Sequence, residues 1–573
     1  MSAAASATAT TAPPGHHQTP ADARRAASVL FLRDGAPGLE VLMLRRAERE
    51  GDLRSGAAVF PGGVLDTRDR EAHAHCHGAD DKALSARLGL REGGLDYVVA
   101  ALRESFEEVG LWLGTAPVES AAMHPWRARL QTGEVGIAAL CNELGLRLDG
   151  SGLVYWSHWL TPPGVPKRFD TRFFAARAPH GQEAVADYGE ALELMWLTPA
   201  AALEPARGLK LLPVTQRTLQ QLSRHAEVDS ALTEGRARQS IPLTMPRRAF
   251  AAKGLRVVLP DELPYAEIGR LDPEGRADVH ADIVAGRAVR LSPHIIRITA
   301  PNPGPMTGPG TNTYLVGRGA AWTCIDPGPA TEAHVQRIVE VVCEQGAAAH
   351  PARLERIVVT HTHRDHSPGA APLAAATGAP VFGRRAAHPE WQDESFAPAR
   401  ELFDGERLRL AEGVTLRAIH TPGHASNHLC YLLEEEKTLF TGDQVMQGST
   451  VVINPPDGDM AAYLRALQGL LAEDIEWLAP GHGFLVADPP GVLRALIAHR
   501  LKREAKVVAA LQQQAAPATA RALVPAVYDD VPSALHGMAE RSLLAHLIKL
   551  EGDGRAAREV ERAGTAAHWC WLG

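Results

Sequence analysis

His361, His363, Asp365 and His366 place three imidazoles and one carboxylate within six residues, in the pattern HxHxDH. Imidazole nitrogen and carboxylate oxygen are the donors that zinc prefers among N/O ligands. The cluster follows the β-branched run Ile357-Val358-Val359-Thr360, so it leaves the end of a buried strand, where a loop can aim several side chains at one point. Packing gives no reason for four such groups in so short a span, and the pattern predicts a metal centre. A second constellation lies in the N-terminal half. Glu104, Glu107 and Glu108 fall at i, i+3 and i+4, on one face of a helix. Three clustered carboxylates repel one another unless a cation sits among them, and hard oxygen donors suit Mg2+ or Mn2+ bridging to a diphosphate. The plain alternative is a solvated acidic face.

Downstream of HxHxDH come His424 in His420-Thr421-Pro422-Gly423-His424, Asp443 in Phe440-Thr441-Gly442-Asp443, and His482 in Ala479-Pro480-Gly481-His482-Gly483. In this order the motifs resemble the metallo-β-lactamase superfamily over roughly residues 290–490, and Asp326, in Cys324-Ile325-Asp326-Pro327-Gly328, matches its early strand-end aspartate. The resemblance implies an αββα sandwich with two Zn2+ at one edge. His361, His363 and His424 would hold one ion. Asp365, His366 and His482 would hold the other, and Asp443 would bridge. Asp365 and Asp443 would orient a water whose pKa zinc lowers to about 7. The stretch Asn302 to Gly317 (NPGPMTGPGTNTYLVG) is similar to the opening of the beta-lactamase-like protein 2 group, which includes an endoribonuclease acting on single-stranded RNA. His428, four residues past His424, either touches substrate or packs.

These side chains need a scaffold. Strand, loop and helix alternate from Ile295 to about residue 490, an α/β pattern. In the N-terminal half, Ser28–Leu32 and Leu39–Arg45 read as a hairpin and Val59-Phe60-Pro61-Gly62-Gly63 as a strand entering a glycine loop. Tyr97–Val109 reads as a helix stopped by Gly110. Strands are expected at Val154–Leu160 and Thr171–Ala175, and helices at Pro199–Leu203 and Pro213–His225. Arg103-Glu104-Ser105-Phe106-Glu107-Glu108-Val109-Gly110-Leu111 resembles the core of the Nudix box, with Ser105 at an apolar position. Trp159-Leu160-Thr161-Pro162 and Arg168-Phe169-Asp170-Thr171 resemble the peroxisomal coenzyme A diphosphatase type of Nudix hydrolase. An α/β/α sandwich is implied. Glu107 and Glu108 would bind metal, Glu104 would ligate or act as base, and Arg103 would orient the glutamates. Two departures stand out: Leu95 occupies the place of the box's earlier glutamate, with Asp96 one position off, and residues 66–94 form an insertion.

Leu493–Leu511, Thr519–Val527 and Leu535–Leu550 read as three helices, and the turn Gly552-Asp553-Gly554-Arg555 as the start of a wing. They resemble the winged-helix domain attached to the same lactamase-like subgroup. Arg494, Arg500, Lys502, Arg503, Lys506, His546 and Lys549 would either neutralise nucleic-acid phosphates or lie on a domain that packs against the hydrolase.

The 573 residues are 45% hydrophobic and 22% charged, a globular balance with room for several domains. The expected order is a disordered leader (1–24), a Nudix-like domain (25–225), a linker (226–290) that could hold an edge hairpin, a metallo-β-lactamase domain (291–494) and a winged-helix domain (495–573). A net charge of −8 excludes a general polycation, so any nucleic-acid contact rests on a local patch. Six scattered cysteines without a CxxC pair fit reduced thiols in a cytoplasmic protein, and no apolar run is long enough to span a membrane. The expected function is bifunctional hydrolysis: RNA, ester or thioester bonds at the zinc centre, and a coenzyme A-like diphosphate at the Nudix helix. An acyl-CoA thioesterase and a non-catalytic nucleic-acid-binding protein are the rivals.

Overall fold

The computed structural model describes residues 16–47, 55–78, 80–116, 118, 120–186, 191–347, 351–389, 392–559 and 567–573. Residues 1–15 of the expected leader lie outside them. Residues 16–22 are tied down: His17 and Thr19 hydrogen-bond Asp170, and Asp22 pairs with Arg168 at 2.7 Å.

The N-terminal domain is built on one mixed sheet in which the strand Ala23–Gly35 pairs antiparallel with Gly38–Arg46 and parallel with Arg168–Arg177. Side chains alternate across a strand. Val29 and Phe31 therefore face Tyr97, Ala100 and Val109 of the helix Gly94–Val109. Leu30 and Leu32 face Leu219, Leu222, Ala231 and Leu232 of two helices on the opposite side. Burial on both faces explains the uninterrupted apolar run, each such side chain contributing about 1.5–3 kcal/mol. The result is the expected α/β/α sandwich. Ser105, in the apolar place of the box, is fully buried and donates its hydroxyl to the Ala101 carbonyl one turn back, at 2.6 Å, so no polar atom is stranded.

Residues 226–290 carry more structure than the weak periodicity suggested. The helix Val228–Ala237 packs on the Nudix sheet, Leu243–Thr244 adds a strand to it, and Arg247–Ala251 with Gly254–Val258 forms a hairpin. Glu267, on the helix Tyr265–Leu271, makes a buried two-pronged ion pair with Arg297 at 2.6 and 2.9 Å and also accepts the Leu485 N–H, which ties this segment to the next domain.

That domain stacks a seven-stranded sheet (Ala288–Ser292 to Arg400–Glu401) on a six-stranded one (Arg407–Ala411 to Val486–Ala487). Ile295, Tyr314, Val316, Ile325 and Val358 meet Leu416, Ala418, Leu429, Tyr431 and Phe440 between them. Helices Glu332–Cys343 and Ala370–Thr377 cover one outer face, and Met460–Leu470 the other, giving an αββα sandwich.

The helix Pro489–Gln512 runs without interruption out of this sandwich: Leu493 packs in the hydrolase core, whereas Val507, Ala510 and Leu511 pack in the C-terminal core. Ala520–Val527, His536–Gly552 and a three-stranded sheet complete a winged-helix domain. Among the described residues no helix is long and apolar enough to cross a membrane.

Candidate functional site

The strand Arg353–Val358 lies in the middle of its sheet, between Ala321–Ile325 and Val381–Gly383, and its buried residues Ile357 and Val358 fix where the next loop begins. Asp326, at the end of the neighbouring strand and with left-handed backbone (φ 50°), accepts hydrogen bonds from the Thr360 N–H and hydroxyl, both at 2.7 Å. Its Oδ2 also holds His366 Nδ1 at 2.9 Å. The Thr360 hydroxyl in turn accepts from His361 Nδ1 at 3.0 Å. One carboxylate thus sets the orientation of two imidazoles and leaves the outer nitrogen of each facing the centre, the arrangement that metal-binding histidines require.

Two clusters result. Nε2 of His361 and Nε2 of His424 each lie 2.9 Å from Nδ1 of His363. Asp365, His366, Asp443 and His482 form the second, with all their donor atoms within 4.8 Å of one another. Asp443 faces both: Oδ1 is 3.4 Å from His366 and 3.3 Å from His482, and Oδ2 is 3.6 Å from His424. Asp365 Oδ2 is 3.3 Å from both His366 and His482. Backbone carbonyls fix two of the remaining three imidazoles, with His424 Nδ1 donating to Val452 at 2.8 Å and His482 Nδ1 to Gly310 at 3.2 Å. All seven residues expected from the sequence meet here.

The donor set fits metal ions. His366 Nε2, His482 Nε2 and Asp443 Oδ1 are buried without a hydrogen-bond partner, a costly state that a cation among them relieves. Burial pushes His361 well below the ordinary imidazole range and His363 down to about 3, leaving neutral nitrogen donors. Burial acts the same way on His482, but Asp443 and Asp365 outweigh it and raise it to about 9. At Asp443 burial favours protonation; the His366 and His482 imidazoles overcome it and hold the carboxyl far below its usual range.

Several residues of the site had no chemical signature of their own. A Cβ on Gly481 would lie 2.7 Å from His366 and 2.9 Å from Asp443 Oδ1, and one on Gly442 would lie 2.6 Å from the Thr360 hydroxyl, so both loops need glycine to pass this close. Asn312 donates to the Pro480 and Gly483 carbonyls at 3.1 and 2.8 Å, clamping the loop that carries His482. This gives the 302–317 stretch a structural role. His428 is fully buried beneath the ligands. Its Nδ1 bonds the Thr421 hydroxyl at 2.9 Å and its Nε2 accepts the Asp443 N–H at 3.2 Å, so it supports the Asp443 backbone from below.

On the acidic helix, Arg103 donates to Glu104 at 2.9 Å, to Glu107 at 3.1 Å and to the Val64 carbonyl at 2.8 Å. Glu108 accepts the Gly62 N–H at 2.8 Å, and a Cβ on Gly63 would strike the Glu104 carboxylate, which is why the strand enters this site on two glycines. Burial pushes Glu107 up to about 7 against the pull of Arg103, with Glu104 adding to the rise; a cation among these oxygens relieves that strain. Leu95 is buried and Asp96 bonds His73 at 2.8 Å. A third carboxylate on Arg103 comes from Asp69, inside the insertion, at 2.7 and 3.3 Å. A cavity of about 280 Å³ opens beside it, lined by Asp69, Arg103, Glu107, Gln131 and Gly133.

Of the seven residues expected to meet phosphates, Arg494 and Lys502 are exposed, and the other five are held by neighbours or buried. Arg500 donates to the Val451 carbonyl, Arg503 to the Val527 carbonyl and Asp530, Lys506 to Asp529, and Lys549 to Glu504 and Asp553. His546 is fully buried.

The model of the metallo-beta-lactamase superfamily matches residues 306–482, that of the beta-lactamase associated winged helix domain residues 519–569, and that of the NUDT19 Nudix domain residues 79–212. An atrochrysone carboxyl ACP thioesterase of Aspergillus chevalieri is 31% identical over 292 residues, covering 50% of this chain and 89% of its own length. A lactamase-like protein, aptB, of Emericella nidulans is 30% identical over 289 residues, covering 49% and 87%. A crystal structure of a Nudix hydrolase from Alicyclobacillus acidocaldarius aligns with a TM-score of 0.32 at 28% identity, covering 39% of this chain and 100% of that one. The chain is a hydrolase with a Nudix domain, a metallo-β-lactamase domain and a winged-helix domain in that order.

Proposed function

The chain belongs to the metallo-beta-lactamase superfamily, and from that premise we propose that its second half hydrolyses acyl thioesters at a centre of two zinc ions, while its Nudix domain cleaves a diphosphate. One observation carries the thioester reading over the RNA reading. Of the basic side chains that would meet nucleic-acid phosphates, Arg500, Arg503 and Lys549 are engaged within the protein and Lys506 pairs with Asp529 at its surface, which leaves only Arg494 and Lys502 of that set exposed. Neutralising a phosphate with any of the other four would require breaking these contacts. The relatives named as acyl-carrier thioesterases support the same reading.

His361, His363 and His424 would hold one ion, Asp365, His366 and His482 the other, with Asp443 between them. Bound metal would supply a water of lowered pKa and polarise the thioester carbonyl. Asp365, whose side chain is 29% exposed, would orient the attacking water and take its proton. Water adds to the carbonyl carbon, the C–S bond breaks, and the thiol leaves with a proton. In the N-terminal half Glu107 and Glu108 would hold Mg2+ or Mn2+, Glu104 would ligate or act as base, and Arg103 would orient all three. An acyl-CoA carries both a thioester and a diphosphate, so the two halves would act on the two ends of one molecule.

The test is turnover of acyl-CoA, free coenzyme A and single-stranded RNA by the full chain. Thiol release from acyl-CoA that His363→Ala abolishes supports the proposal. RNA cleavage without thioester cleavage overturns it.

A further inference from the structure

The metal ligands are held from behind by the C-terminal domain. Arg500 lies on the helix that joins the two domains and is 3% exposed. Its Nη2 donates to the Val451 carbonyl at 2.5 Å. The next carbonyl along, that of Val452, is the one that accepts His424 Nδ1. The same guanidinium lies 5.3 Å from the ring centre of Tyr463. The Tyr463 hydroxyl donates to the Gln444 carbonyl at 3.0 Å, one residue past Asp443. Arg500 therefore touches both supports, the backbone that fixes His424 and the ring that fixes the turn after Asp443. Apolar packing reinforces the contact: Leu493 and Ala545, from the two long C-terminal helices, share a core with Val451, Ile453 and Tyr463. The Ser542 hydroxyl accepts the Ile453 N–H at 3.4 Å.

We infer that Arg500 is a positioning residue for the metal centre, and that the winged-helix domain is thereby a working part of the hydrolase site. The inference rests on the proposed reading of His424 and Asp443 as metal ligands. Carbonyls and hydroxyls behind a ligand fix its tautomer and direction, and losing such support typically lowers metal affinity about 10–100-fold. Arg500 adds one further layer, meeting a carbonyl and an aromatic face rather than a carboxylate.

The experiment measures zinc affinity of the full chain by competition with a chromophoric chelator, together with the 15N shifts of the His424 ring in the metal-free protein. Arg500→Ala should weaken zinc binding at least ten-fold and shift the His424 nitrogens toward a mixture of tautomers. Arg500→Lys should recover part of both. Tyr463→Phe, which removes only the hydroxyl, keeps the question open to test should Arg500→Ala fail to fold, and it should also weaken binding. Unchanged affinity and unchanged His424 shifts in folded Arg500→Ala or Tyr463→Phe overturn the inference. A wild-type chain that binds no zinc overturns instead the metal reading on which it rests.

Discussion

Asp69 and Arg103 form a two-pronged ion pair, Nε to Oδ1 at 2.7 Å and Nη2 to Oδ2 at 3.3 Å, although 34 residues separate them in the sequence. Both side chains are almost enclosed. Removing one partner of a buried pair costs about 3–5 kcal/mol, and the remaining contacts of Arg103 with Glu104 and Glu107 put Asp69→Ala near the low end, about 3 kcal/mol. Denaturation of the N-terminal domain checks the stability loss. Asp69→Asn should lower diphosphate hydrolysis at least ten-fold while leaving thiol release by the other half unchanged.

Glu107 gives the acidic helix a pH signature. Its carboxyl is raised to about 7 from an ordinary 4.5, chiefly by burial. Between those values the folded state binds more protons than the unfolded chain, so stability falls as pH rises and this contribution is gone above about 7. In metal-free protein the wild type should lose stability from about pH 4.5 to 7 relative to Glu107→Gln, and saturating Mg2+ should abolish that difference. Glu107→Gln should also cut diphosphate hydrolysis at least ten-fold through weakened metal binding. Parallel pH profiles for the two proteins without metal contradict this account.

Gly481 separates packing from ligation. Its backbone suits any residue, but a methyl group there would press on His366 and Asp443 at under 3 Å. Gly481→Ala should leave the sandwich folded and lower zinc affinity at least ten-fold, read by the same chelator competition. Full affinity would mean that the His482 loop has room that the structure does not give it.

His363→Ala and Asp365→Ala should each abolish thioester hydrolysis and lower the zinc content while Nudix turnover persists. Equal activity in both variants would end the metal assignment.

What was legible in the sequence follows from how local each signal is. His361 to His366 lie in one strand-end loop, so their convergence could be read from spacing, and His424, Asp443 and His482 followed through their flanking motifs. Asp69 could not be read, because its partner lies 34 residues away and the insertion has no periodicity of its own. The basic residues of the C-terminal helices were visible as residues, yet only the fold shows that Arg500 and Arg503 point inward to backbone carbonyls. Likewise Glu267 looks like an ordinary charge in a weakly patterned stretch until Arg297, 30 residues on, meets it in the core.

The most direct test of the central claim is thiol release from an acyl-CoA by metal-depleted full-length protein as Zn2+ is added back and bound ions are counted. Turnover should appear with zinc and reach its maximum at two ions per C-terminal half, with none at any zinc level in His363→Ala. Turnover at full rate without metal, or no thioester cleavage at two bound ions, would contradict it.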